Sequence, residues 1–131
     1  MRALITLATT ALMALPATAQ DAETGRQLYG DFCAVCHGIG GTGDGVMAEV
    51  LTIAPSDLTL LAADGEFPIL RVAEQIDGSR PLAAHGGDMP LFGRWFEGVG
   101  ADVALPGPGG QPILMSRPIA DLITYLQEIQ S

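Results

Sequence analysis

Residues 33–38 read CAVCHG, so two cysteines lie three positions apart and a histidine directly follows the second. Three chemistries use such an arrangement: a redox-active disulfide, part of a zinc site, or two thioether bonds to a haem whose iron the histidine binds. Each of the three needs different surroundings, so the rest of the sequence decides among them.

The surroundings of the motif favour haem attachment over the other two chemistries. Redox C-x-x-C motifs normally follow a strand and start a helix, whereas this motif ends a helical segment with no strand pattern before it. A structural zinc ion needs four ligands, but Cys33 and Cys36 are the only cysteines and no second ligand pair follows. C-x-x-C-H is the attachment signal for c-type haem, which predicts covalent haem on both cysteines with His37 on the iron.

The first 19 residues have the pattern of a secretory signal peptide. Arg2 precedes an apolar run over residues 3–15, and Ala17, Thr18 and Ala19 form a small-residue cleavage site. The run is shorter than the roughly 20 residues that a spanning helix needs, and an uncleaved anchor is the alternative. We predict cleavage after Ala19, one domain over residues 20–131, a periplasmic location and no membrane span in the mature chain.

The mature chain is strongly acidic. Without Arg2, five arginines face 15 acidic residues, which gives a net charge of −10, and the sequence has no lysine. Phosphate binding needs a basic face, so nucleic acid is not expected as a partner. The acidic charge favours redox partners with a basic docking face, although it also maintains solubility.

Hydrophobic periodicity predicts a mostly helical chain with long loops. Helices are expected over residues 21–37, 46–51 and 67–76, and most clearly after Ser116, where Ile119, Leu122, Ile123, Leu126 and Ile129 form one apolar stripe. The glycine-rich residues 38–45 match G-x-G-x-x-G, but a dinucleotide site would need a βαβ unit around them. Residues 97–112, rich in Gly and Pro, are predicted to form a mobile surface loop.

The second iron ligand should lie far from His37, so that the chain wraps around the porphyrin. We predict Met89, which lies 52 residues after His37 in an irregular segment that Pro90 stiffens. His85 is the alternative, and a lone methionine also serves as a gap-filler in cores. The other mature methionines are Met47, close to His37, and Met115, next to the last helix.

The sequence resembles the class I c-type cytochromes, the small exported monohaem proteins of bacteria. The stretch GRQLYGDFCAVCHG, residues 25–38, is similar to the first helix of that family. In the family, the glycine and the aromatic residue pack on the last helix near a Tyr-Leu pair, which Tyr125 and Leu126 match here. This resemblance explains why a helix keeps Gly25, which costs about 1 kcal/mol relative to alanine.

Two further segments carry the resemblance, GTGDG…APSDLT and EQIDGSRPLAAHGGDMPLFG. The first implies that the carbonyl of Pro55 accepts a hydrogen bond from His37, as the outer partners of metal ligands do. The second ends in the axial methionine of the family. Arg80 and Trp95 are candidate donors to the haem propionates, with a solvated arginine and a core tryptophan as the alternatives.

The resemblance implies an all-α cytochrome c fold, with about three to five helices and long loops wrapped around one covalent haem c. The implied function is a soluble periplasmic electron carrier with His/Met iron ligation and no enzymatic activity. Two alternatives stay open: a cytochrome subunit of a periplasmic dehydrogenase or oxidase complex, and a ligand-binding haem enzyme. Residues 97–112 depart from the family pattern, and such a loop could serve as a docking arm.

Overall fold

The computed structural model describes residues 20–80, 87 and 89–131, which contain five α-helices and one β-hairpin. The helices are α1 (Ala22–Phe32), α2 (Ala34–His37), α3 (Ile69–Asp77), α4 (Gly93–Phe96) and α5 (Arg117–Glu128). The strands are β1 (Val103–Pro106) and β2 (Pro112–Met115), and short 3₁₀ turns cover Ala48–Val50, Leu58–Leu60 and Pro108–Gly110. The helical architecture confirms the predicted fold class.

The predicted helix over residues 21–37 is two helices with a break between them. The side chain of Asp21 caps α1 by accepting hydrogen bonds from the amides of Glu23 and Thr24. α1 ends at Phe32, Cys33 serves as its C-cap, and α2 continues to His37. Cys33 therefore lies at the break, and Cys36 lies within α2.

α1 and α5 cross in close contact at Gly25. A Cβ at this position would overlap the backbone carbonyl of Asp121 and lie 2.9 Å from the Cβ of Tyr125. One turn further along α1, the rings of Tyr29 and Tyr125 meet with their centroids 5.2 Å apart. The contact expected between the glycine, the aromatic residue and the last helix is present, and it explains why this helix position lacks a side chain.

The apolar faces of α3 and α5 form most of the core. Val72, Ala73 and Ile76 are buried, and all three lie in the helix predicted over residues 67–76. The predicted stripe of α5 is buried from Ile119 to Leu126. Gly78 ends α3 in the left-handed conformation, as expected for a helix C-terminus.

The predicted mobile loop over residues 97–112 is wrong, because most of it belongs to a β-hairpin. β1 and β2 pair antiparallel, with Val103 opposite Met115 and Leu105 opposite Ile113. Val103, Leu105 and Met115 are buried in the core cluster, while Ala104 and Leu114 face outward. This alternation anchors the segment, since every second side chain points into the core.

None of the helices in the described ranges is long and apolar enough to cross a membrane. Residues 1–19, which carry the predicted signal peptide, lie outside the described residues.

Replacing Gly25 with alanine should destabilise the holoprotein by about 1–3 kcal/mol, because the added methyl group forces α1 away from α5. The free energy of unfolding, measured by urea denaturation, tests this. Gly30→Ala on the same helix is the matched control. A Cβ at Gly30 meets nothing within 4 Å, so this change should be neutral or stabilising by up to about 1 kcal/mol. Equal effects of the two variants would contradict a close crossing.

Candidate functional site

A cavity of about 370 Å³ opens beside the CAVCHG segment. Its walls are mainly apolar side chains from α1, α3, α5 and the segments between them, including Tyr29, Phe32, Leu58, Leu61, Val72, Ile76, Phe92, Leu122 and Leu126. Six of the seven site residues expected from the sequence also line it: Cys33, Cys36, His37, Pro55, Arg80 and Met89. Residues far apart in the chain thus converge on one apolar space, as a large ligand requires.

The Cys33 thiol lacks the properties of a redox-active cysteine, and both cysteines are half-buried. Both are free, and burial, with a smaller contribution from Cys36, raises the pKa of the Cys33 thiol to about 12. Redox-active C-x-x-C pairs have a lowered thiol pKa instead. The described residues also contain no group of three Cys, His, Asp or Glu side chains that could hold a metal ion. Both observations disfavour the disulfide and zinc alternatives.

A backbone carbonyl fixes the ring of His37. The Nδ1 atom lies 2.9 Å from the carbonyl oxygen of Ser56. A carbonyl only accepts hydrogen bonds, so Nδ1 carries the proton and donates it. In the neutral imidazole this leaves the lone pair on Nε2, the atom that binds the metal in histidine ligands oriented by an outer partner.

The expected partner of His37, the carbonyl of Pro55, is wrong by one residue. That carbonyl instead faces the glycine-rich loop, where a Cβ on Gly43 would come within 2.5 Å of its oxygen. The amide of Gly43 in turn donates to the carbonyl of His37 at 2.8 Å. Because the loop approaches Pro55 so closely, the next carbonyl, that of Ser56, meets the imidazole. Pro55 still lines the cavity.

The positions of the described methionines show which of them could reach a ligand in the cavity. Met89 lines the cavity together with His37. Met47 is 41% exposed, and Met115 is buried in the core as part of β2; neither lines the cavity. His85, the alternative ligand, lies outside the described residues.

Of the two expected propionate donors, only Arg80 lines the cavity. Trp95 does not line it and is 68% exposed, so the core alternative is wrong for this residue and its donor role stays a prediction. The reason is the orientation of the short helix α4, which turns Phe96 into the core and Trp95 outward against the edge of Phe32.

Three residues of the site were missed by the sequence analysis: Ser56, Arg71 and Gln75. Arg71 and Gln75 line the cavity from α3, one helical turn apart. Their spacing of four in the predicted helix, next to its apolar face, was a signal that could have identified them. The backbone carbonyl of Ser56 leaves no such signal, because any residue supplies one.

Comparison with known proteins agrees with this geometry. The family model described as Cytochrome c matches residues 22–130. No curated protein matches the chain. Among solved structures, a chain of the reducing HAO-like protein complex of Kuenenia stuttgartiensis is similar, with a TM-score of 0.56 and 18% identity. The similarity covers 88% of this chain but 46% of the other, so this chain spans less than half of that protein.

Haem c is the covalent cofactor of the matched family, and the described residues fit it. Cys33, Cys36 and His37 form the C-x-x-C-H motif of covalent attachment. The cavity offers apolar walls for a large ring, two thiols, and an imidazole whose Nδ1 is held by the Ser56 carbonyl so that Nε2 is the atom left for the iron. Arg71 and Arg80 supply positive charge at its lining.

The protein expressed with haem-attachment machinery should carry one haem bound through both Cys33 and Cys36. Intact-mass analysis should give the polypeptide plus one haem, and the haem should remain with the protein after acid–acetone extraction. Cys33→Ser and Cys36→Ser should each leave at most one thioether bond and lower the yield of holoprotein. Haem that extracts freely from the wild-type protein would contradict the attachment.

Proposed function

The chain belongs to the cytochrome c family, and we propose that it is a soluble periplasmic electron carrier whose single haem is ligated by His37 and Met89. Haem-dependent electron transfer is the function of this domain; the ligand pair, the location and the free-carrier role are the proposal. The observation that carries it is an apolar cavity whose lining includes both thiols, the imidazole and the thioether of Met89.

His37 and Met89 have complementary roles in this proposal. The hydrogen bond from Nδ1 to the carbonyl of Ser56 holds the imidazole in one tautomer and one orientation. Among the described methionines, Met89 alone lines the cavity. The haem, when bound, supplies reversible one-electron chemistry at its iron, and a Met/His ligand pair raises the reduction potential.

Two side-chain ligands to the iron would separate a carrier from a haem enzyme. If His37 and Met89 both hold the iron, they would leave no position for peroxide, oxygen or a substrate. The walls formed by residues such as Val72, Ile76 and Leu122 also limit access of water to the cavity. The chain's part in the reaction is therefore to hold two ligands and an apolar environment in one arrangement.

A basic redox partner is supported by the surface next to the haem motif. Residues 27–70 contain six acidic residues and no arginine or lysine. The same stretch exposes several apolar side chains: Val35, Ile39, Val46, Val50 and Ile53. The amide of Met47 bonds to the carbonyl of Val35 at 2.9 Å, so the two parts of this surface are adjacent. We propose that a partner with an apolar centre and basic periphery docks here.

Permanent assembly into a periplasmic dehydrogenase or oxidase complex is the second candidate function. The structural neighbour with the similar fold is a chain of a protein complex. In addition, the hairpin exposes Leu114 on its outer face, with a relative exposure of 71%. Co-purification of the native protein distinguishes the two: a free carrier elutes alone, and a subunit elutes with its complex.

Replacing Met89 with alanine should convert a low-spin haem protein into one that binds carbon monoxide and azide. The reduction potential should also fall, because the thioether favours ferrous iron. Visible spectra and a redox titration measure both effects, with the far-red methionine–iron band of the oxidised protein as the marker.

Met47→Ala, Met115→Ala and His85→Ala serve as controls for this ligand assignment, and each should retain the far-red band. Loss of the band in Met115→Ala but not in Met89→Ala would show that Met115, and not Met89, is the iron ligand. Ready binding of carbon monoxide by the wild-type protein would instead favour a ligand-binding enzyme.

Electron transfer with a basic redox protein should slow as salt rises, because exposed charges are screened over about 10 Å at 0.1 M. Glu49→Gln, next to the exposed apolar side chains, should lower the second-order rate a few-fold at low salt. Glu97→Gln is the matched control, since Glu97 lines a different cleft beside β2. Stopped-flow measurement of both variants tests the surface. A rate independent of salt, or equal rates of the two variants, would contradict docking at this face.

A further inference from the structure

Met89 contacts a polar side chain, Gln75, which the proposed iron ligation does not use. The amide nitrogen of Gln75, on α3, lies 3.8 Å from the sulfur of Met89. This separation is within hydrogen-bonding range for sulfur, a large atom and a weak acceptor. The two residues are 14 positions apart, and both line the same cavity.

Arg80 determines which way the amide of Gln75 points. Its Nη1 donates to the Oε1 of Gln75 at 3.2 Å. A guanidinium only donates hydrogen bonds, so its partner must be the amide oxygen. The amide nitrogen then faces Met89 and can only donate. Arg80, Gln75 and Met89 thus form a directed series in which each hydrogen bond fixes the orientation of the next.

A donated hydrogen bond changes the electronic properties of a thioether ligand. A sulfur atom has two lone pairs, so one can bind iron while the other accepts from Gln75. Such a hydrogen bond draws electron density from the sulfur and, with the haem bound, would weaken its donation to ferric iron more than to ferrous iron. Hydrogen bonds to ligands are an established means of setting the potential of a metal centre.

We infer that Gln75 is a positioning residue that raises the reduction potential by donating to Met89, with Arg80 holding its amide in the donating orientation. This inference rests on the proposed ligation by Met89. It also gives Arg80 a role through Gln75, which is distinct from direct contact with a haem propionate.

Gln75→Leu tests the inference directly, because leucine keeps a similar volume and removes the donor. In the holoprotein, the potential should fall and the far-red methionine–iron band should persist at a shifted wavelength. Gln127→Leu, the same change at an exposed position of α5, should leave both quantities unchanged. A potential and band in Gln75→Leu equal to those of the wild type would overturn the inference.

Arg80→Leu and the double variant separate the two roles of Arg80. If Arg80 acts through Gln75, Arg80→Leu should shift the band, and the shift should vanish in the Gln75→Leu background. A band shift of equal size in both backgrounds would show that Arg80 acts independently and would overturn this part. If the wild-type protein lacks the far-red band, Met89 is not the ligand. That result would overturn the proposed ligation itself and not only the role of Gln75.

Discussion

The crossing of α1 and α5 is the contact on which the other features of the molecule depend. Gly25 lets the backbones meet, and Tyr29 and Tyr125 extend the contact by one turn. Because α1 leads directly into Cys33, this crossing fixes where the attachment motif lies relative to α5. The hydroxyl of Tyr29 also donates to the carbonyl of Gly38 at 2.6 Å. The same contact therefore anchors the start of the glycine-rich loop that turns back towards Pro55.

The cavity explains how a chain of this size maintains a fold with few regular elements. A domain of about 110 residues buries a limited apolar area, and here several core side chains also face the cavity. Leu122 and Leu126 of α5 belong to the core cluster and also line the cavity. A bound haem completes the packing of these residues, so stability and function depend on the same walls.

The sequence predicted those parts of the structure that local pattern determines. The attachment motif, the helix over residues 67–76 and the apolar stripe of α5 follow from local spacing, whereas the close contact at Gly25 was implied by the family resemblance. The predictions failed where tertiary context decides. The composition of residues 97–112 suggested a loop, yet Val103 and Leu105 alternate with exposed residues as strand residues do. The choice of Ser56 over Pro55 depends on the approach of a distant loop, and the exposure of Trp95 depends on the orientation of α4.

Positive charge at the cavity and negative charge on residues 27–70 lie in different parts of the molecule. Arg71 and Arg80 line the cavity, whereas residues 27–70 carry only acidic charges. Positive charge near a redox centre stabilises the electron there, while negative charge on the surface selects basic partners. Arg80 combines two such effects, because it adds charge and orients the amide of Gln75. A strongly acidic chain can thus present the proposed docking surface of one sign while two of its arginines, Arg71 and Arg80, lie where they influence the haem.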